Sequence, residues 1–341
     1  MDRIDNICIK GAASYVPPLK RSVADILNSE LTDTMSAMDY EKAISDLGIA
    51  HVHACETEMP SELAANAAIQ ALEQTGTNPQ DIDVIADFTT LPQESFVPVW
   101  SLTNKLKDDI GAAKAFNIGF SHGGCSSLLV ALKFTTALLT ENTDWKTALL
   151  LSGERAVGGK RILNSPNAAT ICGDGGSAVV LEKNDTGSSR IIGTEITTIG
   201  SMHDVLNIPG GGFIHPTDHE QFKLMLDWDR YKDVFSQQAE DIFSKMTEKL
   251  LSPVGLDLDQ IKYFICPNIS SENRKEMAEI FNADEDRICN QNISRYGHIQ
   301  STDLIINYIS AISDNRLKKG DYILFCSHGF GFTWGVTLLQ Y

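Results

Sequence analysis

Cys125 stands in Ser121-His122-Gly123-Gly124-Cys125-Ser126-Ser127. An apolar run follows it: Leu128, Leu129, Val130, Leu132, Phe134, Leu138 and Leu139. That run predicts a helix over 126–140, apolar nearly all round and so buried on every side. The two glycines permit a tight turn before it. A thiol there meets unpaired backbone N–H groups and the positive end of the helix dipole, and both favour the nucleophilic thiolate. A lone cysteine is also commonly an inert buried hydrophobe; the Gly-Gly turn and the polar flanks weigh against that.

Three more groups gather by position. Asn268 follows a predicted strand over 262–266. His298 lies ahead of a second apolar helix over 301–313, and His328 follows a strand over 321–327. In open α/β sheets, sites form beyond the carboxyl ends of strands. Histidine titrates near neutrality and suits a general base. His298 is therefore the proton-transfer residue in this reading, a structural turn histidine being its competitor. His122 and His328 are accessory candidates that read more readily as structural. The segment Gly329-Phe330-Gly331-Phe332-Thr333-Trp334-Gly335 joins two strands. Its glycines allow backbone N–H groups to approach a ligand, as an oxyanion hole requires. Taken alone it is an ordinary hairpin turn.

Helices and strands alternate along the chain, which predicts α/β layers. In the first half, helices are expected over 61–75 (N-cap Ser61, stop at Gly76), 99–110 and 126–140, with strands at 83–89, 116–119, 147–152 and 176–182. The second half repeats that order. It has helices over 234–250, 272–281 and 301–313, and strands at 262–266, 287–290, 321–327 and 333–339. The polar stretch 183–190 is the joint, giving halves 1–184 and 185–341. Two buried helices, one per half, predict a central helical layer between two sheets.

Composition narrows the partners. With 28 Lys and Arg against 45 Asp and Glu, the net charge is −17. This argues against nucleic acid and anionic membranes. An acidic carrier protein would have to find a local basic patch. No apolar run is expected to reach the roughly 20 residues of a membrane span. The N-terminus lacks a signal pattern, so a cytoplasmic protein is expected. Seven widely spaced cysteines without a CxxC pair fit a reducing compartment and no metal site.

The chain resembles β-ketoacyl-acyl-carrier-protein synthase III enzymes of the thiolase-like fold. The segments that carry the resemblance are Gly123–Ser127, Ile171-Cys172-Gly173-Asp174-Gly175-Gly176-Ser177-Ala178, the stretch 204–212 (DVLNIPGGG) and Gly329–Gly335. Their order and spacing make it specific. The resemblance implies a five-layer αβαβα fold of two similar halves, usually homodimeric. It implies that Cys125 takes an acyl group from an acyl carrier protein or coenzyme A thioester, with no cofactor. It also implies that backbone N–H groups of Cys125 and Phe330 hold the oxyanion.

Two departures from the family pattern bear on mechanism. Where the family has Pro-His-Gln-Ala-Asn, this chain has Pro267-Asn268-Ile269-Ser270-Ser271; where it has His-Gly-Asn, this chain has Tyr296-Gly297-His298. His and Asn are exchanged, with Asn268 left as a neutral donor. Phe330 replaces a small Gly. The aromatic and arginine that grip the coenzyme A adenine in some members are missing, their places falling at Lys42 and 165–172. The expected reaction is condensation of the Cys125-bound acyl group with a carbon nucleophile, in fatty-acid- or polyketide-like specialised metabolism. The alternative is transfer to a hydroxyl or amine. A non-catalytic synthase subunit is disfavoured by the intact cysteine.

Overall fold

A computed structural model gives the fold, and it describes residues 6–30, 44–91, 94–95, 100–163, 169–184, 189–289, 291–329 and 332–341. Ten strands carry it: β1 (Ile7–Tyr15), β2 (Val84–Asp87), β3 (Phe116–Gly119), β4 (Thr147–Glu154), β5 (Gly175–Lys183), β6 (Ser189–Thr198), β7 (Ile261–Ile265), β8 (Ile288–Cys289), β9 (Tyr322–Gly329) and β10 (Thr333–Gln340). The first five lie in the order β3-β2-β4-β5-β1, and the second five repeat it as β8-β7-β9-β10-β6. The two sets join through β1 and β6, antiparallel, at Cys8–Arg190 and Ile9–Ser189. Hydrogen bonding thus runs through all ten strands as one sheet, where two separate sheets were expected.

Six helices occupy matching places: α1 (Pro60–Thr75), α2 (Leu102–Asp109), α3 (Ser127–Glu141), α4 (Trp228–Leu251), α5 (Ser271–Ile280) and α6 (Asp303–Ser313). Alternation along the strands explains the layers, because successive side chains point to opposite faces. Ala148 and Leu150 of β4 pack inward with Leu128, Leu129 and Leu132 of α3 and Leu304, Ile305 and Tyr308 of α6. Leu149 and Leu151 pack outward against Ala64, Ala67, Ala68 and Ala71 of α1. In the second half, Ile323 and Phe325 face the central layer. Leu324 and Cys326 face Phe235, Phe243 and Met246 of α4 and Met277 of α5. Both sheet faces are covered, so these strands read as continuous apolar runs.

Several boundaries differ from the sequence reading for local reasons. Met59, not Ser61, caps α1: Glu62 reaches back to the Met59 N–H at 2.7 Å, and Pro60 supplies the first-turn φ. The helix predicted from 99 starts at Leu102, because Ser101 caps it by accepting from Asn104 N–H; Val99 lies outside the described residues. α3 is less enclosed than its composition implies, since Phe134 is 52% exposed and stacks on Phe120. Against expectation, the stretch Ser121–Glu141 is 21 residues long and apolar enough to span a bilayer. Its α3 part lies between the two halves instead. Strands β1 and β6, the pair that joins the halves, were missing from the sequence reading.

Candidate active site

The turn before α3 is a short 3₁₀ segment, Ser121–Ser126, interrupted at Gly124 with φ 54° and ψ −138°. That left-handed φ is what the Gly-Gly pair supplies. Cys125 sits just ahead of α3 and is 4% exposed. Its carbonyl accepts from Ser327 Oγ at 3.0 Å, and Ser126 Oγ donates to Thr333 C=O at 3.1 Å. The turn is thereby tied to β9 and β10 of the other half. Gly329 ends β9 against the same turn; a Cβ there would collide with Gly123 C=O and Cys125 N. Phe330, the expected second oxyanion donor, lies outside the described residues, as does Lys42.

His298 reaches Cys125 from the second half. Its backbone is threaded between Ile171 and Gly173: His298 N–H donates to Ile171 C=O, and Gly173 N–H donates to His298 C=O, each at 3.0 Å. Its Nε2 lies 3.4 Å from Cys125 Sγ, and its Nδ1 lies 2.6 Å from Asp303 Oδ2. Asp303 was missed by the sequence reading. Between them, Gln300 holds a left-handed φ of 43° and donates through Nε2 to Cys172 Sγ at 3.3 Å. That turn folds the start of α6 back under the imidazole. Asp303 is fully buried in the first turn of a largely apolar helix. An acid in that place was the available signal: the helix N-terminus stabilises its charge. Ile299 N–H and Asn268 N–H, both at 2.8 Å, donate to the carboxylate as well.

Asn268 is fully buried behind this line. Its Nδ2 donates to Asp303 Oδ1 at 3.3 Å, and its Oδ1 accepts from Asn307 Nδ2 at 3.0 Å. Among the described residues its side-chain hydrogen bonds therefore run to Asp303 and Asn307, both on α6. His122 is exposed on the turn. His328 is buried at the end of β9, where Tyr231 Oη stands 3.2 Å from its Nε2. Among the described residues no group of three His, Cys, Asp or Glu side chains is placed to hold a metal.

Electrostatics follow from this geometry. Burial works against a charged His298, but Cys125 and then Asp303 outweigh it and hold the imidazole well above its usual pKa. Cys172, next to the site, is pushed up to about 11, chiefly by burial. It is a poor competitor for Cys125 as nucleophile. The arrangement is a thiol, an imidazole and a carboxylate in one line. It can move a proton between sulfur and an incoming or departing group while the carboxylate fixes the ring's tautomer.

Comparison with known proteins places the chain in a family. The model described as 3-oxoacyl-[acyl-carrier-protein] synthase III matches residues 121–200, and that of its C-terminal part matches 251–341, together half of the chain. The chain belongs to this family. Its members are acyltransferases. A β-ketoacyl-[acyl-carrier-protein] synthase III of Erythrobacter litoralis is 28% identical over 340 residues, 98% of each chain. A crystal structure of 3-oxoacyl-[acyl-carrier-protein] synthase III from Aquifex aeolicus superposes with a TM-score of 0.79 at 24% identity, over 98% of this chain and all of that one. The structure of an acyltransferase named ChlB3 gives 0.81 at 19% identity, over 98% and 97%. These likenesses establish the thiolase-like fold of this synthase III member.

Proposed function

We propose that this chain takes an acyl group from an acyl thioester onto Cys125 and passes it to a hydroxyl or amine, with His298 as the base. The observation that carries this reading is the line Cys125 Sγ–His298 Nε2 and His298 Nδ1–Asp303 Oδ2, at 3.4 and 2.6 Å. In the first half-reaction the Cys125 sulfur attacks the thioester carbonyl. The thiol proton passes to His298 and then to the departing carrier thiol, with the Cys125 N–H at the developing oxyanion. Acylation removes the contribution of Cys125, the first of those that raise the His298 pKa, and so moves the ring toward its neutral form. The imidazole is thus free to act as base just when the acyl group is in place. It takes the proton of the attacking hydroxyl or amine and returns it to Cys125 as the sulfur leaves. A carboxylate-backed base is what a heteroatom nucleophile needs. An enolate formed by loss of carbon dioxide requires no proton to be removed.

Condensation with a carbon nucleophile is the second reading, and the family favours it: the synthases among its relatives are named for it. Asn268 would then support the enolate oxygen. A homodimeric, cytoplasmic enzyme fed by carrier protein or coenzyme A belongs to either reading. The test is intact mass after incubation with a panel of acyl thioesters, followed by acceptors. Cys125→Ala should abolish the acyl adduct and Cys172→Ala should retain it. Discharge by hydroxyls or amines without carbon dioxide supports transfer; discharge only by malonyl thioesters with stoichiometric carbon dioxide overturns it in favour of condensation.

A further inference from the structure

His328 is a buried imidazole that the relay above does not use. Strand alternation turns it outward with Leu324 and Cys326, toward α4. It sits where β9 ends, between Ser327, which is hydrogen-bonded to the Cys125 carbonyl, and Gly329, which abuts Cys125 N. Aromatic rings box it in, with centroids at 4.9 Å (Phe235), 5.1 Å (Trp334), 6.1 Å (Tyr231) and 6.4 Å (Phe332). Burial, and then the charge of His298, push it down to about 4. It is neutral near pH 7 and offers one donor and one acceptor. Tyr231 Oη engages Nε2 at 3.2 Å; Nδ1 has no hydrogen-bond partner among the described residues.

His328 of the pair follows Ser327, whose hydroxyl donates to the Cys125 carbonyl. Burial first, then Glu276 and Cys125, raise the pKa of Tyr231. Taken as whole residues, Tyr231 and Trp228 are partly exposed, while the Tyr231 hydroxyl itself is buried. Trp228, Tyr231 and Phe235 form a ladder of stacked rings along one face of α4, each step 5.5 Å. A histidine that merely filled the core would have both ring nitrogens satisfied. Among the described residues one stays open here, beside the Tyr231 hydroxyl and a wall of flat rings.

We propose that the Tyr231–His328 pair is the acceptor-binding spot of the second half-reaction, and that its ligand is a flat-ringed molecule bearing a hydroxyl group. The ring extends the stack, and the hydroxyl bonds to the pair. The attacking group is thereby held near acylated Cys125. The inference rests on the transfer reading above, so its test includes a readout that needs no turnover.

The probes are tyramine and phenethylamine, which differ by one ring hydroxyl. In the Cys125→Ala protein, tyramine should bind about tenfold more tightly, the effect of one good hydrogen bond, as measured by tryptophan fluorescence or calorimetry. Adding Tyr231→Phe or His328→Phe keeps the ring and should reduce that preference to less than twofold. Circular dichroism checks the fold; if His328→Phe unfolds, Tyr231→Phe decides alone. Equal binding of the two probes, or a preference that survives Tyr231→Phe, overturns the spot. With Cys125 restored, Tyr231→Phe should raise the tyramine concentration for half-maximal discharge about tenfold and change the saturating rate less. Pair-dependent binding without discharge of the acyl-enzyme by any hydroxyl or amine sustains the spot and overturns the transfer reading.

Discussion

At the scale of the residue, the decisive neighbour of His298 is Asp303. The carboxylate is fully buried and accepts from the ring and from two backbone N–H groups. Asp303→Asn would place an amide where the ring needs an acceptor, stabilising the wrong tautomer. Discharge of the acyl-enzyme should slow by roughly 10³-fold, with Cys125 still able to load. His298→Ala should likewise load and then discharge about 10²-fold more slowly or worse; unchanged discharge would return His298 to a structural role and promote His122 or His328. Asn268→Ala separates the two reactions. If Asn268 only steadies Asp303, turnover falls by about tenfold, the worth of one hydrogen bond to a charged group. If it supports an enolate, condensation falls on the order of 10²-fold while loading persists. Quenched-flow mass spectrometry of loading and discharge reads all three variants.

At the scale of the element, the site depends on β9 lying flush against the turn before α3. Gly329 makes that contact, backbone to backbone. In Gly329→Ala the added methyl has no flexible side chain to displace. Either the turn or the strand end must move, by enough to misplace Cys125 N–H as an oxyanion donor. Loading of Cys125 should fall by at least about 10²-fold, with the secondary structure intact by circular dichroism. Normal loading would show that the turn takes up the methyl without moving the nucleophile.

At the scale of the whole molecule, a buried carboxyl couples stability to pH. Glu154, at the end of β4, is completely buried. It accepts from Thr90 N–H at 2.8 Å, Leu91 N–H at 3.1 Å and Ser301 Oγ at 3.0 Å. Burial pushes it up to about 7 from 4.5, against the pull of those donors. Below pH 4.5 both folded and unfolded chains hold the proton. From there to about pH 7 the folded chain keeps a proton that the unfolded chain has released, so stability falls as pH rises. The full loss is on the order of 3 kcal/mol, at about 1.4 kcal/mol per unit. Denaturant unfolding at pH 5, 5.5, 6 and 6.5 should show the decline, in a range below that where His298 contributes. Glu154→Gln should flatten the slope, and an equal slope in that variant would place its source elsewhere.

Period and punctuation in the sequence were enough for the alternating elements, the duplicated order and the position of Cys125 at the mouth of a largely buried helix. Each of these is local: apolar spacing, a Gly-Gly turn, a cap. The strands β1 and β6 escaped because their identity as the seam between halves depends on a partner some 180 residues away. Asp303 escaped for a related reason. A carboxylate five residues after His298 reads as an ordinary helix-start acid, and only the left-handed turn at Gln300 folds it under the imidazole. The exchange of His and Asn was legible as letters. The Sγ–Nε2 contact and the burial of Asn268 against Asp303 arise from two distant halves packing on one central layer, a contact that no local pattern in the chain encodes.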